Sequence, residues 1–276
     1  MKTEMLAGWD RSKRTIFDEI VSNYDKIRWE YPDVLYKDII MYSDFQPDQK
    51  ALEIGAGTGK ATVPFVSAGY DVTAVELGAN MTEFLMERFK EYPNFKVINS
   101  SFEDAVLEED SFSLVYAASS FHWVDAKVGC PKVYRILKNG GTFALFRNNT
   151  VPAIGEELYE EIQKVYEKYY YTYYVSKERP YKKSKEDYLK ASEIYKGYRI
   201  YGLKEYGFKD ITMKLYDASF TYSADDYIAL LDTFSDHKTL PEENRLALYA
   251  GVKEAIVRHG GYHKVDYLFQ LYMGRK

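Results

Sequence analysis

The sequence holds one cysteine, Cys130, among 276 residues. That excludes an intramolecular disulfide and any zinc site made of clustered cysteines. Histidine is scarce as well. His122, His237, His259 and His263 form no HExxH pair, and no metal site is expected. Basic charge is not in excess: 37 Lys and Arg stand against 42 Asp and Glu, for a formal net charge of −5. The chain therefore lacks the positive footprint of a duplex-DNA binder or of a protein that docks on anionic membrane. No run approaches the roughly 18 apolar residues of a membrane span, and the opening MKTEMLAGWDRSKRT has no apolar signal core. These absences predict a soluble, cytoplasmic protein that engages neither membrane nor nucleic acid. What is abundant is tyrosine. There are 28, thirteen of them between Tyr159 and Tyr206.

Apolar spacing through Ile16, Phe17, Ile20, Val21 and Tyr24 predicts a helix, and Pro32 restarts a second through Val34, Leu35, Ile39 and Ile40. After a polar break at 46–49, short apolar runs at 51–54, 72–75, 96–98, 113–117 and 142–146 alternate with helical patterns at 60–68, 79–92 and 125–137. Strands alternating with helices predict a parallel sheet covered on both faces. A long helix is expected over 154–174. Two more strands are expected at 208–216 and 263–273, with helices at 224–234 and 241–257 between them.

The sharpest signal is LEIGAGTG at 52–59, an apolar strand running into Gly55, Gly57 and Gly59 with a helix expected directly after. Glycine permits a tight turn and a close ligand approach, and a helix start presents unpaired amides. Glu76 ends the next strand, 21 positions after Gly55. A carboxylate there is placed to accept hydrogen bonds from both hydroxyls of an adenosine ribose. Dinucleotide loops read GxGxxG; this one reads GxGxG and follows an acid, Glu53. An acid at that point repels pyrophosphate and suits a ligand carrying an ammonium and a sulfonium.

Five segments together resemble the class I S-adenosylmethionine-dependent methyltransferases: LEIGAGTG at 52–59, VEL at 75–77, INSSFED at 98–104, SFSLVYAASSFHWVD at 111–125 and VYRILKNGGTFAL at 133–145. The flanks NYDKIRWEYPDVLYKDI at 23–39, FHWVD at 121–125 and the segment 208–243 are similar to the trans-aconitate methyltransferase-like branch, methyltransferase type 11/25. The resemblance implies an α/β fold with a Rossmann-like, doubly wound, seven-stranded sheet, mostly parallel with the last strand antiparallel. It divides the chain into an N-terminal helical segment over the cofactor site (1–47), an S-adenosylmethionine-binding core (48–149), a Tyr-rich helical cap between strands five and six (150–206), and closing strands and helices (207–276).

Carried over residue by residue, the resemblance implies that Gly55, Ala56, Gly57 and Gly59 line the methionine moiety, with Glu53 near its amino group. Glu76 would hold the ribose and Leu77 would pack on adenine. Ser101 and Phe102 would flank the adenine edge; because an Asp often stands where Ser101 does, Glu103 or a backbone carbonyl would take the adenine amino group. Ala118 and Ser119 would follow strand four beside the sulfonium. Tyr24 would close over the cofactor and Arg28 would read substrate charge. Phe102 and Tyr24 also suit plain core packing, Trp123 suits it better than substrate contact, and His122 suits a loop-orienting role.

Methyl transfer from a sulfonium is an in-line displacement, so alignment of acceptor, methyl and sulfur does most of the work. A carboxylate acceptor needs no base; a hydroxyl or carbon acid does, and His122 is then the candidate. Tyr170 and Tyr173 in the cap, with Trp123, are expected to wall the substrate pocket, since tyrosine pairs an apolar face with an orienting hydroxyl. The expected function is methylation of a small molecule. The alternatives are a tRNA or protein methyltransferase, disfavoured by the acidic balance, and a non-catalytic S-adenosylmethionine-binding regulator; an NAD-dependent oxidoreductase is disfavoured by Glu53 and by the helical extension before the first strand.

Overall fold

The computed structural model describes Arg14, Asp18 and residues 21–174, 179–181, 183–188 and 199–276. Parts of the expected N-terminal segment and cap therefore lie outside the described residues. The strands are β1 (Lys50–Ile54), β2 (Asp71–Glu76), β3 (Phe95–Asn99), β4 (Phe112–Ala118), β5 (Leu137–Val151), β6 (Lys209–Ser223) and β7 (Tyr262–Arg275). They form one seven-stranded sheet in the order β3-β2-β1-β4-β5-β7-β6. β1 to β5 run parallel, and β7 lies antiparallel between β5 and β6.

Side-chain alternation explains how the strands are covered on both faces. Along β4, Leu114 and Tyr116 enter one buried cluster while Val115 and Ala117 enter the other. The first cluster is closed by α2 (Asp33–Ser43) through Leu35 and Ile39, by α3 (Val63–Ser67) through Phe65, and by α4 (Ala79–Arg88) through Leu85. The second is closed by α5 (Ala126–Ile136) through Cys130, Val133 and Ile136. Before α2, a short helix α1 (Val21–Ile27) leads to Trp29, which packs on Tyr267 with ring centroids 5.0 Å apart.

A third cluster lies under the outer helices α6 (Glu157–Tyr166), α7 (Ala224–Leu231) and α9 (Glu242–Arg258), with the single turn α8 (Ser235–Lys238) between the last two. Gly251 on α9 lets Val165 approach, since a Cβ there would meet Val165 Cγ1 at 2.7 Å. The expected single helix over 154–174 is shorter in fact. It passes after Tyr166 into a π-helical turn, residues 167–171, which brings Tyr170 to the inside at 4 % exposure. The helix expected from residue 60 also starts late, because turns occupy the chain up to Thr62 before α3.

Candidate active site

The sheet order reverses between β1 and β4, and the carboxyl ends of the strands there open into one cavity of about 730 Å³. The loop after β1 forms its floor. Gly55, Gly57 and Gly59 take φ of +66°, +58° and +83°, which side chains rarely adopt. A Cβ on Gly57 would meet nothing within 4 Å, so at that residue the backbone itself is the cavity surface. The loop is tied to its neighbours by Gly55 N–H donating to Val75 O (2.8 Å) and Gly57 N–H donating to Glu76 Oε2 (2.8 Å).

Glu76 ends β2 at 9 % exposure. Its other oxygen accepts from Gly78 N–H at 2.9 Å. Burial raises its pKa, against the pull of those backbone bonds. Glu53, one register step inside β1, is fully buried. Its Oε2 accepts from Thr62 Oγ1 (2.5 Å) and Tyr116 OH (2.9 Å). Glu53 lines the cavity, and its Oε1 is buried with no hydrogen-bond partner among the described residues. Burial pushes the carboxyl up to about 8; the Thr62 and Tyr116 bonds oppose that, and the charge of Glu76 adds to it. A buried acceptor without a donor costs free energy unless a ligand supplies one.

Beyond Glu76, Leu77 lines the cavity, and Asn99 Nδ2 holds its carbonyl at 3.1 Å. Gly78 is needed for close approach, since a Cβ would fall 2.4 Å from Asp18 Oδ1. Asp18 in turn accepts from Met81 N–H at 2.9 Å. Ser101 makes a turn, accepting from Asp104 N–H (3.1 Å) and donating to Asp104 Oδ2 (2.6 Å). Phe102 is 4 % exposed and lines the cavity. The Glu103 carboxylate is engaged by Arg14 at 2.8 Å. Lys132 fixes the loop from beneath, donating to the carbonyls of Phe102 (2.6 Å), Glu103 (3.1 Å) and Ala105 (2.5 Å).

Ala118 ends β4 and Ser119 follows it, at φ +53° and accepting from Tyr31 OH at 2.9 Å. Ser120 donates to Ile54 O, which locks this loop to β1. His122 and Trp123 form a 3₁₀ turn with Phe121 on the cavity wall. Burial, and then the nearby Arg147 charge, push His122 down to about 4. Tyr24 and Arg28 of the N-terminal segment line the same cavity. The Arg28 guanidinium sits 4.5–4.9 Å from the ring centroids of Tyr24, Trp29 and Phe234 and donates to Thr233 O at 2.7 Å.

The cap tyrosines divide. Tyr170 lines the cavity but is also buried, with its hydroxyl on Asp236 at 2.5 Å. Tyr173 is a correction: it is 48 % exposed, packs edge-on against Tyr174 and is not part of the wall. The π-helical turn rotates it outward. Sequence reasoning missed Tyr31, Arg147, Tyr166, Asp236 and His237, all on the wall. Only the adjacent acid–histidine pair at 236–237 offered a signal.

Residues 52–145, which include the glycine loop and the strand-tip acid, match the family described as "Methyltransferase domain". The chain is similar to an uncharacterised methyltransferase of Schizosaccharomyces pombe, 27 % identical over 244 residues, covering 87 % of this chain and 86 % of that protein. Among solved structures, a type II methyltransferase candidate from Anaeromyxobacter dehalogenans aligns with TM-score 0.58 at 17 % identity, over 90 % of this chain and 97 % of that one. Phosphoethanolamine N-methyltransferase 2 of Haemonchus contortus, solved with phosphomonomethylethanolamine and S-adenosylhomocysteine, aligns with TM-score 0.53 at 18 % identity. That match takes in 97 % of this chain but 59 % of the other. These last two likenesses speak to the fold of the methyltransferase domain. Among the described residues no helix is long and apolar enough to cross a membrane, and no cluster of His, Cys, Asp and Glu suits a metal.

Proposed function

We propose that the chain is an S-adenosylmethionine-dependent methyltransferase for a small-molecule acceptor. The observation that carries this reading is that Glu53, whose Oε1 is buried without a partner among the described residues, lines one cavity with Glu76 and the glycine floor. Glu76, held by Gly57 and Gly78, would accept the ribose hydroxyls. Glu53 Oε1 would accept the ammonium of the methionine moiety, and Leu77 and Phe102 would bracket the adenine. The bound cofactor supplies an activated methyl group. The chain's own residues align the acceptor and exclude water, with Tyr24, Arg28 and Trp123 on the acceptor side. The flanking segments favour the trans-aconitate methyltransferase-like branch within the class.

A small-molecule acceptor suits the cavity: about 730 Å³ is in the size range of small-ligand sites, and Tyr166 of α6, Tyr170 of the π-helical turn and His237 of α8 line it. The residue ranges 1–47, 48–149, 150–206 and 207–276 are read as cover, cofactor core, acceptor wall and sheet completion, and the protein as cytoplasmic. The test is S-adenosylhomocysteine formation from S-adenosylmethionine on adding a cell extract split by ultrafiltration. Turnover with the low-mass filtrate is expected. Turnover with the retained macromolecules alone would show a tRNA or protein acceptor instead.

A further inference from the structure

On the wall made by α6 and α8, three side chains stand in series. His237 is 5 % exposed; its Nδ1 lies 3.0 Å from Asp236 Oδ1 and its Nε2 lies 2.8 Å from the Tyr166 oxygen. A carboxylate oxygen only accepts, so Nδ1 carries the hydrogen, and Nε2 of the neutral ring is the acceptor for the Tyr166 hydroxyl. Asp236 is itself held in place. Oδ1 also accepts from His237 N–H at 3.0 Å, Oδ2 accepts from Tyr170 OH at 2.5 Å, and the backbone carbonyl accepts from Tyr174 OH at 2.7 Å. Tyr166, Tyr170, Asp236 and His237 all line the cavity.

The geometry points to Tyr166, backed by His237 and Asp236, as the group that takes the proton from the methyl acceptor, and so to a hydroxyl compound as that acceptor. The assignment rests on the methyltransferase reading above. The acceptor oxygen bonds to the methyl carbon, and the carbon–sulfur bond of the sulfonium breaks with its electron pair going to sulfur. The acceptor proton passes to the Tyr166 oxygen as the Tyr166 proton moves to His237 Nε2. The products are a methyl ether, a neutral thioether and an imidazolium facing Asp236, which later loses its proton to water.

Two observations weigh for this arrangement over simple packing of α8 on α6. The series ends on the cavity, where an acceptor can reach it. The other histidine on the wall, His122, is pushed down to about 4 and is a weak base near neutrality. Burial keeps the Tyr166 phenol protonated, so it serves by handing its own proton on as it receives another. A carboxylate acceptor would leave this series without a task.

The experiment uses p-nitrophenol as the hydroxyl probe, read by the visible absorbance of its anion, on protein saturated with S-adenosylhomocysteine. Calorimetry first establishes S-adenosylhomocysteine binding; its absence would sink the cofactor reading rather than the proton series. With the nucleoside bound, wild type is expected to raise the ionised fraction of the probe above that in buffer at the same pH. Tyr166→Phe and His237→Gln are expected to lower that excess about tenfold while holding S-adenosylhomocysteine within about twofold. A wild-type protein that leaves the probe's ionisation unchanged overturns the proposal, as do variants that keep the full excess. If either variant does not fold, ¹⁵N spectra of wild type decide. Hydrogen on Nδ1 of neutral His237 is the expected form, and a ring protonated only at Nε2 overturns the assignment.

Discussion

Glu53→Gln isolates the electrostatic state of the cavity floor. In the folded, ligand-free protein the Glu53 carboxyl stands at about 8 against an ordinary 4.5, chiefly because burial penalises its charged form. Its folded pKa is raised, so the folded state holds a proton that the unfolded chain has lost between those values, and stability falls as pH rises through that window. At about 1.4 kcal/mol per pH unit, raising the pH from about 6 to about 9 costs the folded state on the order of 2–3 kcal/mol through this one group. Glutamine keeps the shape, still offers one oxygen to Thr62 and Tyr116, and never ionises. Thermal melts over that range should therefore show wild type losing about 5–10 °C more than Glu53→Gln. An ammonium-bearing ligand reverses the balance by favouring the carboxylate, so S-adenosylhomocysteine should release up to one proton on binding near pH 7. Calorimetry in two buffers of different ionisation enthalpy measures that release. Parallel melting curves for the two proteins, or binding with no proton released, would refute the reasoning.

Other perturbations have distinct expected outcomes. Glu76→Ala removes a charged acceptor worth about 1.5–3 kcal/mol, so S-adenosylhomocysteine affinity measured by calorimetry should fall tenfold or more. Tyr170→Ala should destabilise by about 3–5 kcal/mol in denaturant melts, since the ring is buried against Tyr166, Tyr174 and His237, whereas exposed Tyr173→Ala should stay within about 0.5 kcal/mol. Lys132→Met strips three carbonyls of their shared donor; it should lower the melting temperature and weaken S-adenosylhomocysteine binding, and an unchanged affinity would separate that loop from the cofactor site.

The sheet was legible because its strands are short apolar runs bounded by turn residues, and all seven fall where those runs lie. Glycines at alternate positions and an acid at a strand tip likewise marked the loop and Glu76, since both needs are local. Their partners were not local. Thr62, Tyr116 and Lys132 reach Glu53 and the 102–105 carbonyls only after the chain has folded. The outer wall was hardest to read. Tyrosine density suggested a wall, but which tyrosines face inward depends on the π-helical turn at 167–171, which shifts the phase by a residue and turns Tyr173 to solvent. The Tyr166–His237–Asp236 series joins positions about 70 apart and has no period to betray it.

The most direct measurement of the central claim is a pair of calorimetric titrations on wild type and Glu76→Ala, one with S-adenosylhomocysteine and one with NAD. The account predicts binding of S-adenosylhomocysteine to wild type, at least tenfold weaker binding to Glu76→Ala, and no heat from NAD with either. Tight NAD binding with no affinity for the sulfur nucleoside, or equal S-adenosylhomocysteine affinity in both proteins, would contradict it.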